Sequence, residues 1–485
     1  MTIKDLEPRA IWHFFEEITQ VPRPSKKEEK IITFLKKFAD EHQLLFRNDE
    51  TGNIIIEKPA TKGFENFQKV ALQSHIDMVC EKNSDVEHDF ERDPISTFVD
   101  GEWLKARGTT LGADNGIGVA AQLAVLASDT LEHGALECLF TVDEETGLTG
   151  AFGLKSDFVT SKILLNLDSE DEGELYIGCA GGIDSTILVH YNTVSAPRDL
   201  FYFKLSVKGL NGGHSGDDIN KGFANANQLL ANFLEICVSD FGLVLSEITG
   251  GNLHNAIPRE ASAVGGITFS DKENLRVALN IYLADLAEEF KLTEPKLEIE
   301  LESHTIPELV IEKSTSDKLI QALTLCPNGV ISMSEVMPGL VQTSTNLASV
   351  KMLPDNVIKI VTSQRSSVET EKYEIANRVE ELFLTIGAKV THGDGYPGWA
   401  PNPHSSILKV AVETHVQLFG YEPKIKAIHA GLECGLFLAK YPHLDMVSFG
   451  PTMRGVHSPD ERLHIPSVAK FWNHLLLILK NIPLN

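Results

Sequence analysis

The sequence predicts an α/β domain, a mixed sheet with helices on both faces, interrupted by an α+β insertion. Three observations predict it. Short apolar runs flank an Ala/Val/Leu-rich helical segment in the first 185 residues, a polar break with a proline near 193–199 opens a different pattern, and helix–strand alternation returns after residue 391.

The elements follow in order. Ser25-Lys26-Lys27-Glu28 has the form of a capping box, and Ile31, Leu35 and Phe38 recur behind it at helical spacing. Val70 to Leu72, Leu136 to Val142 and Ile163 to Leu167 read as strands whose continuous apolar character suits a sheet covered on both sides. Gly116 to Ser128 reads as a buried helix connecting the first two, which makes a βαβ unit. Phe201 to Val207 is a strand of the inserted unit, Asn225 to Ile236 and Asn274 to Phe290 are helices, and Val357 to Val361 is a further strand. Gly250 to Arg259 and Thr343 to Arg365 share a loose plan, so the insertion has the look of two similar halves. A helix from Ser405 to Phe419, a strand from Met446 to Phe449 and a helix from Ser467 to Lys480 complete the first domain. The expected organisation is a catalytic domain over 1–186 and 391–485, with a lid over 187–390.

Composition excludes several classes. Asp and Glu outnumber Lys and Arg by 68 to 43, a net charge of −25, and no basic stripe is available to follow a nucleic acid backbone. The densest apolar run, Leu475 to Leu479, is too short to span a bilayer, so no membrane partner is expected. The six cysteines are scattered without a CxxC pair and read as reduced thiols, and the N-terminal residues lack a signal peptide's apolar stretch. Both features predict a cytoplasmic protein.

The chemistry lies where polar residues meet strand ends. His75 and Asp77, Glu144 and Glu145, Asp168 and His457 all come shortly after predicted strands, and Asp114 precedes the buried helix. The carboxyl edge of an α/β sheet is where loops diverge and ligands bind. Two imidazoles and three carboxylates, His75, Asp114, Glu145, Asp168 and His457, are a donor set for divalent ions, and Asp114 is placed to bridge two of them. Glu144 lies beside a ligand without being one, the requirement for a general base. Asp77 shares a face with His75 and is suited to orient its ring. Each residue alone has an ordinary explanation, a helix cap for Asp114 or a solvated acidic loop for Asp168; their convergence on one sheet edge carries the reading.

These residues also carry a resemblance. His75-Ile-Asp77, Gly112-Ala-Asp114-Asn-Gly, Thr141-Val-Asp-Glu144-Glu145-Thr-Gly, Asp168, His457 and the lid segment Gly212-Gly-His214-Ser-Gly216 resemble the two-zinc peptidase and deacylase family that includes carboxypeptidase G, acetylornithine deacetylase and the carnosinases. Further stretches resemble its branch acting on Xaa-His dipeptides: Ala106 to Gly118, Gly178 to Asp184, Asn255 to Glu260, His429 to Gly435 and His457 to Glu461. The resemblance spans essentially the whole chain and implies a zinc-peptidase-like fold, two divalent ions (zinc, with cobalt or manganese as alternatives) and a small dipeptide substrate. It implies that His214 polarises the scissile carbonyl and that Asn255, Arg365 and Gly431 meet the substrate. Lids of this family often mediate dimers, while an enlarged lid can replace the partner, so a homodimer and a monomer both fit. An N-acyl amino acid deacylase and a catalytically silent metal-binding relative are the alternatives; the intact Glu144 speaks against the second.

Overall fold

The structure is a computed structural model, and it describes residues 2–485. The chain divides into two compact units, residues 1–178 with 401–427 and 432–485, and residues 179–400 with 428–431. The strand Gly181–His190 runs across the position expected to separate catalytic domain from lid, and it belongs wholly to the second unit's sheet.

The first unit is built on an eight-stranded mixed sheet. Its spatial order is Leu45–Asn48, Ile54–Lys58, Leu136–Thr141, Val70–His75, Ile163–Asn166, Asp445–Ser448, Glu174–Cys179 and Lys424–Ile428. Val70–His75 runs parallel to both neighbours, and Asp445–Ser448 runs parallel to Ile163–Asn166. Every residue of Val70–His75, Leu136–Thr141 and Ile163–Asn166 is buried, so alternate side chains meet cover on opposite faces. The expected buried helix is Ala113–Ala127, in which every residue but Asp114 and the last, Ala127, is buried. The helix behind Ser25 begins at Glu29, and Ser25 does not cap it: its hydroxyl donates to Asp77 Oδ2 at 2.8 Å. The sequence signal was real as chemistry but belonged to the site. The helices Ser406–Phe419, capped by the Ser405 side chain, and Ile465–Lys480 complete the unit.

The second unit carries a nine-stranded antiparallel sheet. From Phe203 to Lys208 burial alternates along the strand Leu200–Lys208, and Phe203, Leu205 and Val207 join a single apolar core. Leu230 and Phe233 of helix Ala226–Phe241, Leu319 and Leu323 of Lys313–Leu325, and Val379 and Phe383 of Glu369–Leu384 fill the same core. The two segments expected to mark similar halves, 250–259 and 343–365, lie in one compact unit, but the first pairs through Ala256–Ile257 with Gly213–His214 in a separate two-stranded sheet, while the second forms two adjacent strands of the nine-stranded sheet. Among the described residues no helix is long and apolar enough to cross a membrane.

Candidate metal centre

In the first unit the parallel strands end together, and their last residues or the turns beyond deliver the predicted donors. His75 is the final residue of its strand and is buried. Its Nε2 lies 3.1 Å from Asp114 Oδ1 and 3.5 Å from Asp168 Oδ1. His457, on a turn with φ of +62°, lies 3.2 Å from the other Asp114 oxygen and 3.0 Å from Glu145 Oε2. Asp114 thus stands between the two imidazoles, one oxygen toward each. All five expected donors meet in this one place.

Loops hold that arrangement rigidly. Asp77 accepts from the backbone N–H of Glu144 (3.1 Å) and Glu145 (3.3 Å), from Ser25, and lies 3.3 Å from His75 Nδ1. One buried carboxylate therefore fixes the imidazole and the two glutamates together. Glu461 does the same for Asp114: its carboxylate accepts from the N–H groups of Leu111 (2.6 Å), Gly112 (2.9 Å) and Ala113 (2.7 Å). Arg23, buried between two prolines in sequence, donates to the carbonyls of Ile76, Asp77 and Gly112. Gly112 has φ of +68°, and a Cβ there would lie 2.5 Å from the Arg23 guanidinium, so only glycine lets the two approach.

The electrostatics follow from crowding. Burial alone would pull His75 down, but Asp168, Asp114 and Asp77 hold its pKa well above the usual imidazole range. Hydrogen bonds to Asp114 and Glu145 push His457 up to about 11. Burial drives Asp114 upward, yet its two histidines overcome this and hold it far below the usual carboxylate range. Burial pushes Asp168 well up, and it pushes Glu144 up to about 8, with the neighbouring carboxylates of Glu433, Glu145 and Asp114 adding to the rise. Two buried oxygens, Glu145 Oε1 and Asp168 Oδ1, have no hydrogen-bond donor. Such oxygens are costly to bury unless a cation faces them. Donor atoms of His75, Asp114 and Glu145 fall within 4.8 Å of one another. Donor chemistry, crowding and unpartnered oxygens all fit divalent metal ions.

The remaining predicted residues lie in the second unit. His214 pairs with Ala256 in a short antiparallel ladder, and its Nδ1 accepts from the N–H of Gly216 (3.3 Å) and Asp217 (3.2 Å). With Nδ1 accepting, the ring is neutral and carries its proton on Nε2, which outweighs the 3.7 Å approach of Asp217 to Nδ1. Burial, and then the charge of Arg365, hold its pKa below the usual value. Arg365 is buried; its Nη1 donates to the Tyr396 hydroxyl at 2.9 Å while its Nε has no partner. Gly431 faces the same ring, where a Cβ would lie 2.8 Å from Tyr396. Asn255 is half-buried, and its carbonyl accepts from the N–H of Ser215.

Glu461 and Glu433 stand inside the motif stretches without an expected task, and neither Arg23 nor Tyr396 is among the residues expected from sequence. The signal for Glu461 was its place four residues after His457; an arginine between prolines was the signal for Arg23.

Known proteins match this chain over nearly its whole length. Residues 71–481 match the profile of peptidase family M20/M25/M40. The cytosol non-specific dipeptidase of Escherichia coli is 44% identical over 481 residues, 99% of each chain. The crystal structure of aminoacylhistidine dipeptidase from Vibrio alginolyticus superposes with a TM-score of 0.96 at 42% identity, covering 100% of this chain and 99% of that one. A tripeptidase from Staphylococcus aureus shares the fold at a TM-score of 0.57 and 16% identity, covering 98% of this chain and 99% of its own.

Proposed function

The chain belongs to peptidase family M20/M25/M40, and from that premise we propose that it is a metal-dependent dipeptidase that cleaves Xaa-His dipeptides of the carnosine type in the cytoplasm. The observation that carries the reading is the meeting of His75, Asp114, Glu145, Asp168 and His457 with Glu144 beside them. The E. coli and V. alginolyticus dipeptidases support the substrate class. The six cysteines are scattered without a CxxC pair, which supports the compartment.

His75, Asp114 and Asp168 would hold one ion and Asp114, Glu145 and His457 the other. Zinc is the metal we favour over cobalt or manganese, because imidazole and carboxylate together suit it. When bound, two such ions supply a water acidic enough to lose its proton near neutral pH and a Lewis acid for the scissile carbonyl. The chain's own residues do the rest. Glu144 takes the proton from the attacking water and passes it to the leaving amine, a task for which a carboxylate beside the donor set, and not part of it, is placed. His214, neutral with a free Nε2–H, donates to the carbonyl oxygen as negative charge grows there. The unpartnered Nε of Arg365 is a donor for the substrate carboxylate.

The test is turnover of carnosine and Gly-His against acetylated and succinylated amino acids, each with and without a chelator and with metal content measured. Dipeptide cleavage that disappears on metal removal and returns with zinc is the expected result. Preference for the acylated amino acids would make the chain a deacylase instead, and full activity without metal would end the proposal.

A further inference from the structure

Beneath the donors, a row of buried side chains crosses the sheet from strand to strand, and none of them is a donor itself. Thr141, Gln73, Asn166 and Ser448 lie on four adjacent strands, Gln73 paired in register with Asn166 and Asn166 with Ser448. The Gln73 amide donates to Glu433 Oε2 at 2.6 Å and to Thr141 Oγ1 at 3.1 Å, and the Thr141 hydroxyl donates to the same Glu433 oxygen at 3.0 Å. The Gln73 carbonyl accepts from the Asn166 amide, the Asn166 carbonyl accepts from the Ser448 hydroxyl, and Ser448 lies 2.6 Å from Ser169 Oγ. All six side chains are buried.

The row has a direction, and Glu433 sets it. Gln73 and Asn166 each carry a donor end and an acceptor end, so the row alone could run either way. Glu433 Oε2 only accepts here, which turns the Gln73 amide nitrogen toward it and the Gln73 oxygen toward Asn166. Asn166 must then present its own oxygen to Ser448, and the sense passes on to Ser169. The placement matters because Gln73 is two residues before His75, Asn166 two before Asp168, and Ser169 is the residue after it. Thr141 ends the strand that leads into Glu144 and Glu145. Thr141, Gln73 and Asn166 therefore anchor backbone that carries a predicted ligand or the base, and Ser448 reaches Ser169 beside Asp168. No lysine or arginine pairs with Glu433 among the described residues. A buried acid with neither of them beside it is a costly choice for mere packing.

We propose that Glu433 is a positioning residue for the metal centre, holding the Thr141–Gln73–Asn166–Ser448 row in the one sense that spaces the donors above it. The inference rests on the metal-centre reading, so its test reads metal binding as well as turnover. Metal-free wild type, Glu433→Ala and Glu433→Gln are titrated with zinc against a competing chelator. Circular dichroism checks the fold, and kcat and KM are measured for Gly-His with the zinc-loaded proteins. Glu433→Ala is expected to lower zinc affinity at least tenfold and to lower kcat, with KM moving less than threefold. Glu433→Gln keeps a carbonyl acceptor for Gln73 and Thr141, and its affinity is expected within threefold of wild type. Wild-type affinity in Glu433→Ala would overturn the proposal, and so would equal losses in both variants, which would assign the effect to charge. Should Glu433→Ala not fold, Gln73→Met breaks the row at similar side-chain length, with the same loss expected and the same null result decisive. A wild type that binds zinc but does not cleave Gly-His would sink the dipeptidase reading and leave this test standing.

Discussion

Replacing Glu144 by Gln separates catalysis from metal binding. The backbone N–H of Glu144 and that of Glu145 are both held by Asp77, so the change alters one functional group without releasing the loop. The five donor residues keep their positions, because their close contacts run among His75, Asp114, Asp168, Glu145 and His457 and do not include the Glu144 side chain. An amide of the same shape cannot take up a proton near neutral pH. General-base catalysis contributes roughly 100- to 10,000-fold, so kcat for Gly-His should fall by about that factor, or about 3 to 5 kcal/mol of barrier. Metal content should stay at the wild-type level, and KM should change little, because no binding donor is removed. Steady-state kinetics beside metal analysis on the same preparation checks both. A variant with a near-normal rate would refute the assignment of the base, and a variant that loses metal would show that Glu144 is a ligand.

Other perturbations bear on the surrounding structure. Asp77→Asn leaves one accepting oxygen where two now serve His75, Ser25 and two backbone amides, so zinc affinity and kcat/KM should each fall roughly 10- to 100-fold, read by chelator competition and kinetics. Glu461→Gln leaves a buried N–H among Leu111, Gly112 and Ala113 facing an amide nitrogen, at a cost of about 1 to 3 kcal/mol, visible as a lower urea midpoint in metal-free protein; an unchanged midpoint would contradict the role given to Glu461. Burial lowers His474 from 6.5 to about 4 while it bonds to the Ala411 carbonyl. The unfolded chain therefore takes up a proton below pH 6.5 that the folded chain refuses until about 4. Its contribution is whole above pH 6.5 and is lost as pH falls through that window, by about 3 kcal/mol in all. Urea unfolding at pH 7 and pH 5 should show the fall, and His474→Gln should flatten it; parallel slopes in the two proteins would remove His474 as the cause.

How far the site could be read from sequence depended on whether a residue's task was local. His75, Asp168 and Glu144 follow apolar runs whose burial on both faces was written into their composition, and a strand end fixes where the next residues go. The helix at Ala113–Ala127 was legible from its unbroken small and apolar residues, which placed Asp114 at its start. The tasks of Ser25, Arg23, Glu461 and Glu433 were set by partners 52 to 360 residues away, and no local pattern encodes such pairings. Ser25 shows the difficulty in one side chain: the spacing to Glu28 suits a capping box, yet the helix starts only at Glu29, and the Ser25 hydroxyl instead donates to the buried carboxylate of Asp77. Glu433 is hidden for the opposite reason. A glutamate opening a helix needs no explanation on paper, since it suits the helix dipole, and only the sheet that arrives beneath it gives its oxygen two donors and makes it the end of a row. A donor set is thus visible where strands end. The polar groups that hold it in place become visible only when distant segments have been brought together.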